Sequence, residues 1–311
     1  MAIPISIVGG YLGAGKTSLI NHVLAGKHGR RVTVLVNDFG AINIDATLIA
    51  DSADDTISLT NGCACCAIQD DLGAALQVQI ERTLPPDHIL IEMSGVAEPA
   101  RIRRYAEAWP GVYLDAVLVL ADAETVRTRI SDKFVGRVVQ RQLSAADFLV
   151  LNKVDLVSKA EQAQTAAWLK GLCPASRLVE VTYGTVDPAL LFEPSIRAVR
   201  TSDLILGERA GEMFHTQVLD VPAAIASTRL EQLLTRLPAS IHRIKGFITD
   251  RDTGLRSLVQ VVGRRVTLTE ALSTGDAPPD ALIIIGTDGR DADAVRALIE
   301  TLWTTERAVS E

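Results

Sequence analysis

The stretch Gly10-Tyr11-Leu12-Gly13-Ala14-Gly15-Lys16-Thr17, entered from the apolar run Ile5-Ser6-Ile7-Val8, constrains this chain more than any other. Its spacing is glycine, four residues, then Gly-Lys-Thr, between an expected strand and an expected helix, which is the P-loop pattern in its structural context. Gly10, Gly13 and Gly15, with Ala14 between the last two, let successive N–H groups turn inward onto phosphate oxygens. The positive end of the following helix, where Ser18 stands, assists them. Lys16 is placed to reach the β- and γ-phosphates, and the Thr17 hydroxyl to bind Mg²⁺. Leu19, Ile20, Val23 and Leu24 follow at helical spacing. A nucleoside triphosphate is therefore the expected ligand, with its base still open.

Composition narrows the class. The 311 residues allow about two domains of ordinary size. An apolar fraction of 48% excludes a disordered chain, and a net charge of −7 argues against a nucleic-acid partner. Met1-Ala2 leads directly into a strand with no secretory pattern, and the apolar runs Ala116–Ala121 and Ala281–Ile285 are too short to cross a membrane. A soluble, cytoplasmic protein is expected. Three of its four cysteines are bunched at Cys63, Cys65 and Cys66, unlike a secreted disulfide framework.

Arg31–Asn37, His88–Glu92, Asp115–Ala121 and Phe148–Leu151 read as buried strands after the first, and Asp70 to Ile80 as a helix. Continuous apolar strands alternating with helices predict an α/β fold, a mostly parallel sheet with helices on both faces. The loops at the carboxyl ends of the strands would form the nucleotide site. A nucleotide-binding domain is expected over 1–195, a polar linker over 196–212, and a smaller α+β domain over 213–311. In the last, Thr228–Leu237 is an expected helix opened by a Thr228–Glu231 capping box. Strands follow at Ile241–Thr249, Ser257–Val262 and Ala281–Ile285. A final helix over Asp291–Trp303 is expected to bury Val295, Leu298, Ile299 and Leu302.

Two motifs select the base and the chemistry. Asn152-Lys153-Val154-Asp155 directly follows a strand, and a carboxylate at Asp155 accepts both the N1–H and the N2 amine of guanine. Adenine would leave that carboxylate unpaired, at a cost of about 1–3 kcal/mol. Glu92-Met93-Ser94-Gly95 follows another strand. There an acidic residue stands near Mg²⁺ or the attacking water, and the Gly95 N–H can sense the γ-phosphate. Asn61-Gly62-Cys63-Ala64-Cys65-Cys66 offers three soft ligands to one metal, suiting Zn²⁺ or Cu(I), with Co²⁺ tolerated. Cys63 and Cys66 also have the spacing of a Cys-x-x-Cys redox pair. Cys173 and the scattered histidines read as ordinary packed or solvated residues.

Taken in order, Gly-x-Leu-Gly-x-Gly-Lys-Thr, Asn-x-Phe-Gly, Gly-Cys-x-Cys-Cys, Glu92-x-Ser-Gly-x-x-x-Pro99 and Asn-Lys-x-Asp resemble the CobW-type P-loop GTPases. These are relatives of the nickel-delivery GTPases that serve urease and hydrogenase. Arg243-Ile244-Lys245-Gly246-Phe247 and Ile283-Ile284-Ile285-Gly286 resemble the C-terminal domain of that family.

The resemblance implies a GTP-hydrolysing metallochaperone that carries Zn²⁺, Co²⁺ or another divalent metal at Cys63, Cys65 and Cys66 to a client metalloprotein. It implies phosphate and Mg²⁺ roles for Lys16 and Thr17, assistance to hydrolysis by Glu92 and Asp38, contact with the nucleotide by Gly95 and Lys153, and guanine reading by Asn152 and Asp155. Nucleotide-bridged homodimers occur among relatives of this fold. Asp38 and Ala41 stand where the family usually has glutamates, and the His-rich tract of many members is missing. Two other readings are a slowly hydrolysing, metal-responsive GTP-binding scaffold and a GTPase regulated by thiol redox.

Overall fold

The computed structural model describes residues 2–26, 29–37, 56–59, 67–192, 215–221, 224–271 and 280–307. They fall into two compact units, Met1–Pro188 and Ala189–Glu311. The expected linker over 196–212 lies outside the described residues.

In the first unit, strands β1 (Ile3–Gly10), β2 (Val32–Asn37), β3 (Thr56–Leu59), β4 (His88–Met93), β5 (Val112–Asp122), β6 (Phe148–Asn152) and β7 (Arg177–Glu180) make one sheet in the order β3-β2-β4-β1-β5-β6-β7. Every pairing is parallel. Its helices are α1 (Lys16–Ala25), α2 (Ala67–Ile80), α3 (Pro99–Ala108), α4 (Val126–Ile130), α5 (Gly136–Ser144) and α6 (Lys159–Leu172).

Leu72 and Leu76 of α2, Ile102 and Ala106 of α3, Val139 and Leu143 of α5, and Ala166 and Leu169 of α6 share one core with Ile5, Ile7, Ile89 and Ile91. Side chains alternate across a strand, so these isoleucines define one face of the sheet. The connection from β1 to β2 runs in the opposite direction across the sheet, and right-handed crossover places α1 on the other face. Parallel strands covered on both faces are why the central strands read as continuous apolar runs.

Four of the described strands escape the sequence reading: the edge strands His215–Asp220 and Arg265–Glu270 of the second unit's sheet, and β3 and β7 here. Of these, β3 and β7 are each four residues long at an edge of the sheet, too short for a periodic signal.

In the second unit, β8 (His215–Asp220), β9 (Ile241–Thr249), β10 (Arg256–Val262), β11 (Arg265–Glu270) and β12 (Ala281–Gly286) form an antiparallel sheet in the order β11-β10-β9-β12-β8. The short α7 (Pro188–Leu191) precedes it in the chain. Helices α8 (Ser227–Leu234) and α9 (Gly289–Arg307) contribute Leu230, Leu234, Val295 and Ile299 to a core with Ile244, Ile248, Val259 and Ile284. The guanidinium of Arg243, itself buried, donates to the Leu190 carbonyl at 3.0 Å.

Two expectations are corrected here. Thr228 does not cap α8: the helix begins one residue earlier, and Ala226 at its N-cap makes no side-chain bond. The Asp250 carboxylate, from the end of β9, accepts the Ser227 N–H at 2.9 Å instead. Leu298 is 55% exposed, whereas Val295 and Ile299 are fully buried. The helix buries a narrower stripe than its run of apolar residues implies, because the small domain covers only one side of it.

Candidate nucleotide site

The P-loop connects β1 to α1 and turns through left-handed glycine positions. Gly10 has φ of 135°, and a Cβ there would lie 2.6 Å from the Leu120 carbonyl oxygen of β5. Gly15, with φ of 101°, is the N-cap of α1 and lies so close to Asn152 that a Cβ would overlap its amide nitrogen. Both positions therefore require glycine. Lys16 and Thr17 open the helix, Lys16 buried and Ser18 exposed.

Register brings the second component in. β4 lies beside β1 with Glu92 level with Val8, and beside β2 with Glu92 level with Val36. The Glu92 side chain is 2% exposed, and the Thr17 hydroxyl donates to its Oε1 at 3.2 Å. A hydroxyl and a carboxylate this close are hard oxygen donors of the kind Mg²⁺ takes alongside phosphate and water. The loop after β4 lies against the P-loop, since a Cβ on Gly95 would stand 2.8 Å from the Leu12 nitrogen.

The third component is the end of β6. Asn152 is 1% exposed; its amide nitrogen donates to the Ala14 carbonyl at 2.9 Å, and its oxygen accepts the Gly184 N–H at 2.9 Å. With both ends of its amide engaged by backbone, Asn152 braces the P-loop against the loop after β7. Lys153 adopts φ of 61°, and its ammonium meets the Asp122 carboxylate at 2.7 Å. Asp155 is exposed in the 3-10 turn Val154–Leu156. Its carboxylate is thus accessible to a ligand beside a rigid strand end.

Asp122 and Gly184 were not singled out in the sequence. Asp122 ends β5 in register with Asn152, and that pairing is visible only once the strands are ordered. Asp38, Cys63, Cys65 and Cys66, and with them the expected metal site, lie outside the described residues. Among the described residues no three histidine, cysteine or carboxylate side chains gather as a metal site. Cys173 is buried, and burial pushes its thiol pKa up, the behaviour of an inert core cysteine. No described helix is long and apolar enough to cross a membrane.

A sequence model described as "CobW/HypB/UreG, nucleotide-binding domain" matches residues 4–180, and one described as "Cobalamin synthesis protein cobW C-terminal domain" matches residues 214–302. The chain is 30% identical to a protein of Sinorhizobium sp named "Zinc chaperone CobW", over 96% of this chain and 97% of that one. It is 28% identical to the "Zinc chaperone YjiA" of Escherichia coli, over 91% and 93%. It is 30% identical to the "Zinc-regulated GTPase metalloprotein activator 1" of Schizosaccharomyces pombe, over 60% and 47%. Among solved structures, Zn(II)-bound YjiA GTPase from E. coli overlays with a TM-score of 0.45 at 21% identity, covering 97% and 99% of the two chains.

Proposed function

Because the chain belongs to the CobW/HypB/UreG nucleotide-binding family and carries the cobW C-terminal domain, we propose that it is a GTP-hydrolysing metallochaperone with Zn²⁺ as its cargo. The observation that carries the proposal is the meeting of Thr17 and Glu92, 75 residues apart in sequence, beneath a P-loop with buried Lys16.

In this reading the N–H groups of Gly13, Gly15 and Lys16 cradle the phosphates, and Lys16 neutralises the β- and γ-oxygens. Thr17 and Glu92 would hold Mg²⁺, which when bound would supply charge neutralisation for the phosphates. Asp155 accepts the two guanine donors. Lys153, turned by its left-handed backbone and held by Asp122, flanks the base.

Topology supports a link to the cargo. β3 ends at Leu59, in register with Asn37 of β2, which is itself in register with Met93, the residue after Glu92. β3 therefore ends at the same end of the sheet as the nucleotide loops, four residues before Cys63 in the sequence, and the three thiols supply a soft donor set suited to Zn²⁺. Zinc in the names of two relatives supports the same cargo.

The test has two independent parts. A Cys65→Ala/Cys66→Ala variant, purified reduced, loses a Zn²⁺ site of micromolar or tighter affinity; retention of that affinity overturns the cargo assignment. Native protein turns over GTP in preference to ATP, and Asp155→Asn moves that preference towards xanthosine triphosphate; equal use of ATP overturns the base assignment. Measuring turnover with and without Zn²⁺ separates a hydrolysing chaperone from a scaffold that binds GTP without consuming it.

A further inference from the structure

The loop that follows Glu92 is held from the side by a residue of a different helix. Gln142 of α5 is 1% exposed, and its amide nitrogen donates to the Gly95 carbonyl at 3.0 Å and to the Ala97 carbonyl at 2.9 Å. Both amide hydrogens are thereby spent on two carbonyls that flank Val96. Those carbonyls also fix which way the amide is turned, since its oxygen would repel them. The cost is visible at the other end of the group: the Gln142 oxygen is buried with no hydrogen-bond partner among the described residues. Burying an unsatisfied oxygen is unfavourable, so this site keeps a glutamine for the sake of its two donors.

The anchor is rigid. α5 packs Val139 and Leu143 on either side of Gln142 into the main core. One residue earlier, the Arg141 guanidinium meets the Glu98 carboxylate at 2.7 Å, so consecutive residues of α5 grip Gly95, Ala97 and Glu98. The loop itself is short and closed by a bond from the Ala97 N–H to the Ser94 carbonyl at 3.0 Å. Gly95 has little room to move on its other side, because it lies against the Leu12 backbone of the P-loop.

We propose that Gln142 is a positioning residue for GTP hydrolysis: by fixing the Gly95 and Ala97 carbonyls it sets the loop whose Gly95 N–H faces the γ-phosphate and whose strand carries Glu92. Its two hydrogen bonds go to the loop backbone, and it acts through the loop. The inference rests on the GTPase reading above. It adds that α5, a helix that carries none of the nucleotide motifs, governs the hydrolytic geometry.

Steady-state GTP turnover of the intact chain tests this, with GDP affinity measured on the same preparations. Gln142→Met keeps the length and removes both donors. It lowers kcat about ten- to a hundredfold, the scale of a misplaced catalytic group, while KM for GTP and affinity for GDP stay within about twofold, as expected when only a transition-state contact is lost. Gln142→Asn retains the amide on a shorter stem, reaches one carbonyl, and gives an intermediate kcat; it also carries the test if the methionine variant does not fold. Leu169→Ala in α6 opens a cavity in the same core while changing no residue of α5 or the loop, lowering the thermal midpoint and leaving kcat within about twofold of native.

Unchanged kcat in the glutamine variants, or an equal fall in Leu169→Ala, overturns the positioning role while leaving the GTPase assignment intact. Absence of GTP turnover in the native chain overturns both.

Discussion

The amide of Asn152 donates to the Ala14 carbonyl across 138 residues of sequence and receives the Gly184 N–H on its other end, so one buried side chain ties together three loops of the nucleotide site. An asparagine is suited to this because it offers a donor and an acceptor on one short stem, and here both are used. The P-loop is thus fixed by the strand end that also carries the turn proposed to read guanine.

Asn152→Ala removes that brace and leaves the Ala14 carbonyl without its donor. Loss of about 1–3 kcal/mol of stability is expected by denaturant titration. A parallel weakening of GTP and GDP binding, read by calorimetry, is expected because both nucleotides use the same cradle. Native affinity for both in a stable variant would count against the brace.

Gly10→Ala tests the loop geometry. The added Cβ meets the Leu120 carbonyl at 2.6 Å in a backbone conformation of φ 135° that alanine resists. Strain of about 1–3 kcal/mol and a large loss of nucleotide binding are expected. Gly13→Ala, where a Cβ has nothing within 4 Å, separates backbone strain from crowding.

Thr17→Ala removes one of the two oxygens proposed for Mg²⁺. The Mg²⁺ concentration giving half-maximal turnover is expected to rise about tenfold or more, with nucleotide affinity in the absence of the ion little changed. An unchanged Mg²⁺ dependence would remove Thr17 from the site.

The second unit has its own acid sensitivity. Ser227, whose N–H donates to it at 2.9 Å, holds the Asp250 carboxyl well below the ordinary carboxylate range. The Thr253 backbone and hydroxyl assist, and burial opposes them without prevailing. A carboxyl depressed on folding contributes stability that is complete above its unfolded value, about 4. That contribution is lost as pH falls below this value towards the folded one. Asp250→Ala is therefore expected to cost about 1–2 kcal/mol at neutral pH, the scale of a lost helix cap, and to flatten the acid limb below pH 4. Unfolding followed by circular dichroism at pH 7 and pH 3 checks both.

Leu298 and Ile299 are neighbours with opposite fates. Leu298→Lys on the exposed face of α9 is expected to change stability by no more than about 0.5 kcal/mol. Ile299→Ala, in the core, is expected to cost about 2–5 kcal/mol. Thermal unfolding of the two variants compares them directly.

The contrast between local and distant information runs through the molecule. Gly10–Thr17, Glu92 and Asn152–Asp155 were legible in the sequence because each is a short run whose chemistry depends on its own backbone, and each sits at the end of an apolar strand. The parallel sheet was legible for the same reason: burial on both faces leaves an unbroken apolar run. The edge strands Thr56–Leu59 and Arg177–Glu180 were not, since four residues carry no period, and the neighbour that orders them is supplied by another part of the chain. The cap of α8 shows the limit most plainly. Thr228 and Glu231 have capping-box spacing, yet the Asp250 carboxylate from 23 residues downstream takes the Ser227 N–H. Asn152 as a brace, Asp122 as the partner of Lys153, and Gln142 as the grip on Gly95 and Ala97 belong to the same class. What the sequence determined alone was the local backbone pattern of Gly10–Thr17 and which candidate ligand groups stand at the strand ends. Only the tertiary structure decided which distant side chains hold those groups in place, because a buried hydrogen bond depends on proximity in space.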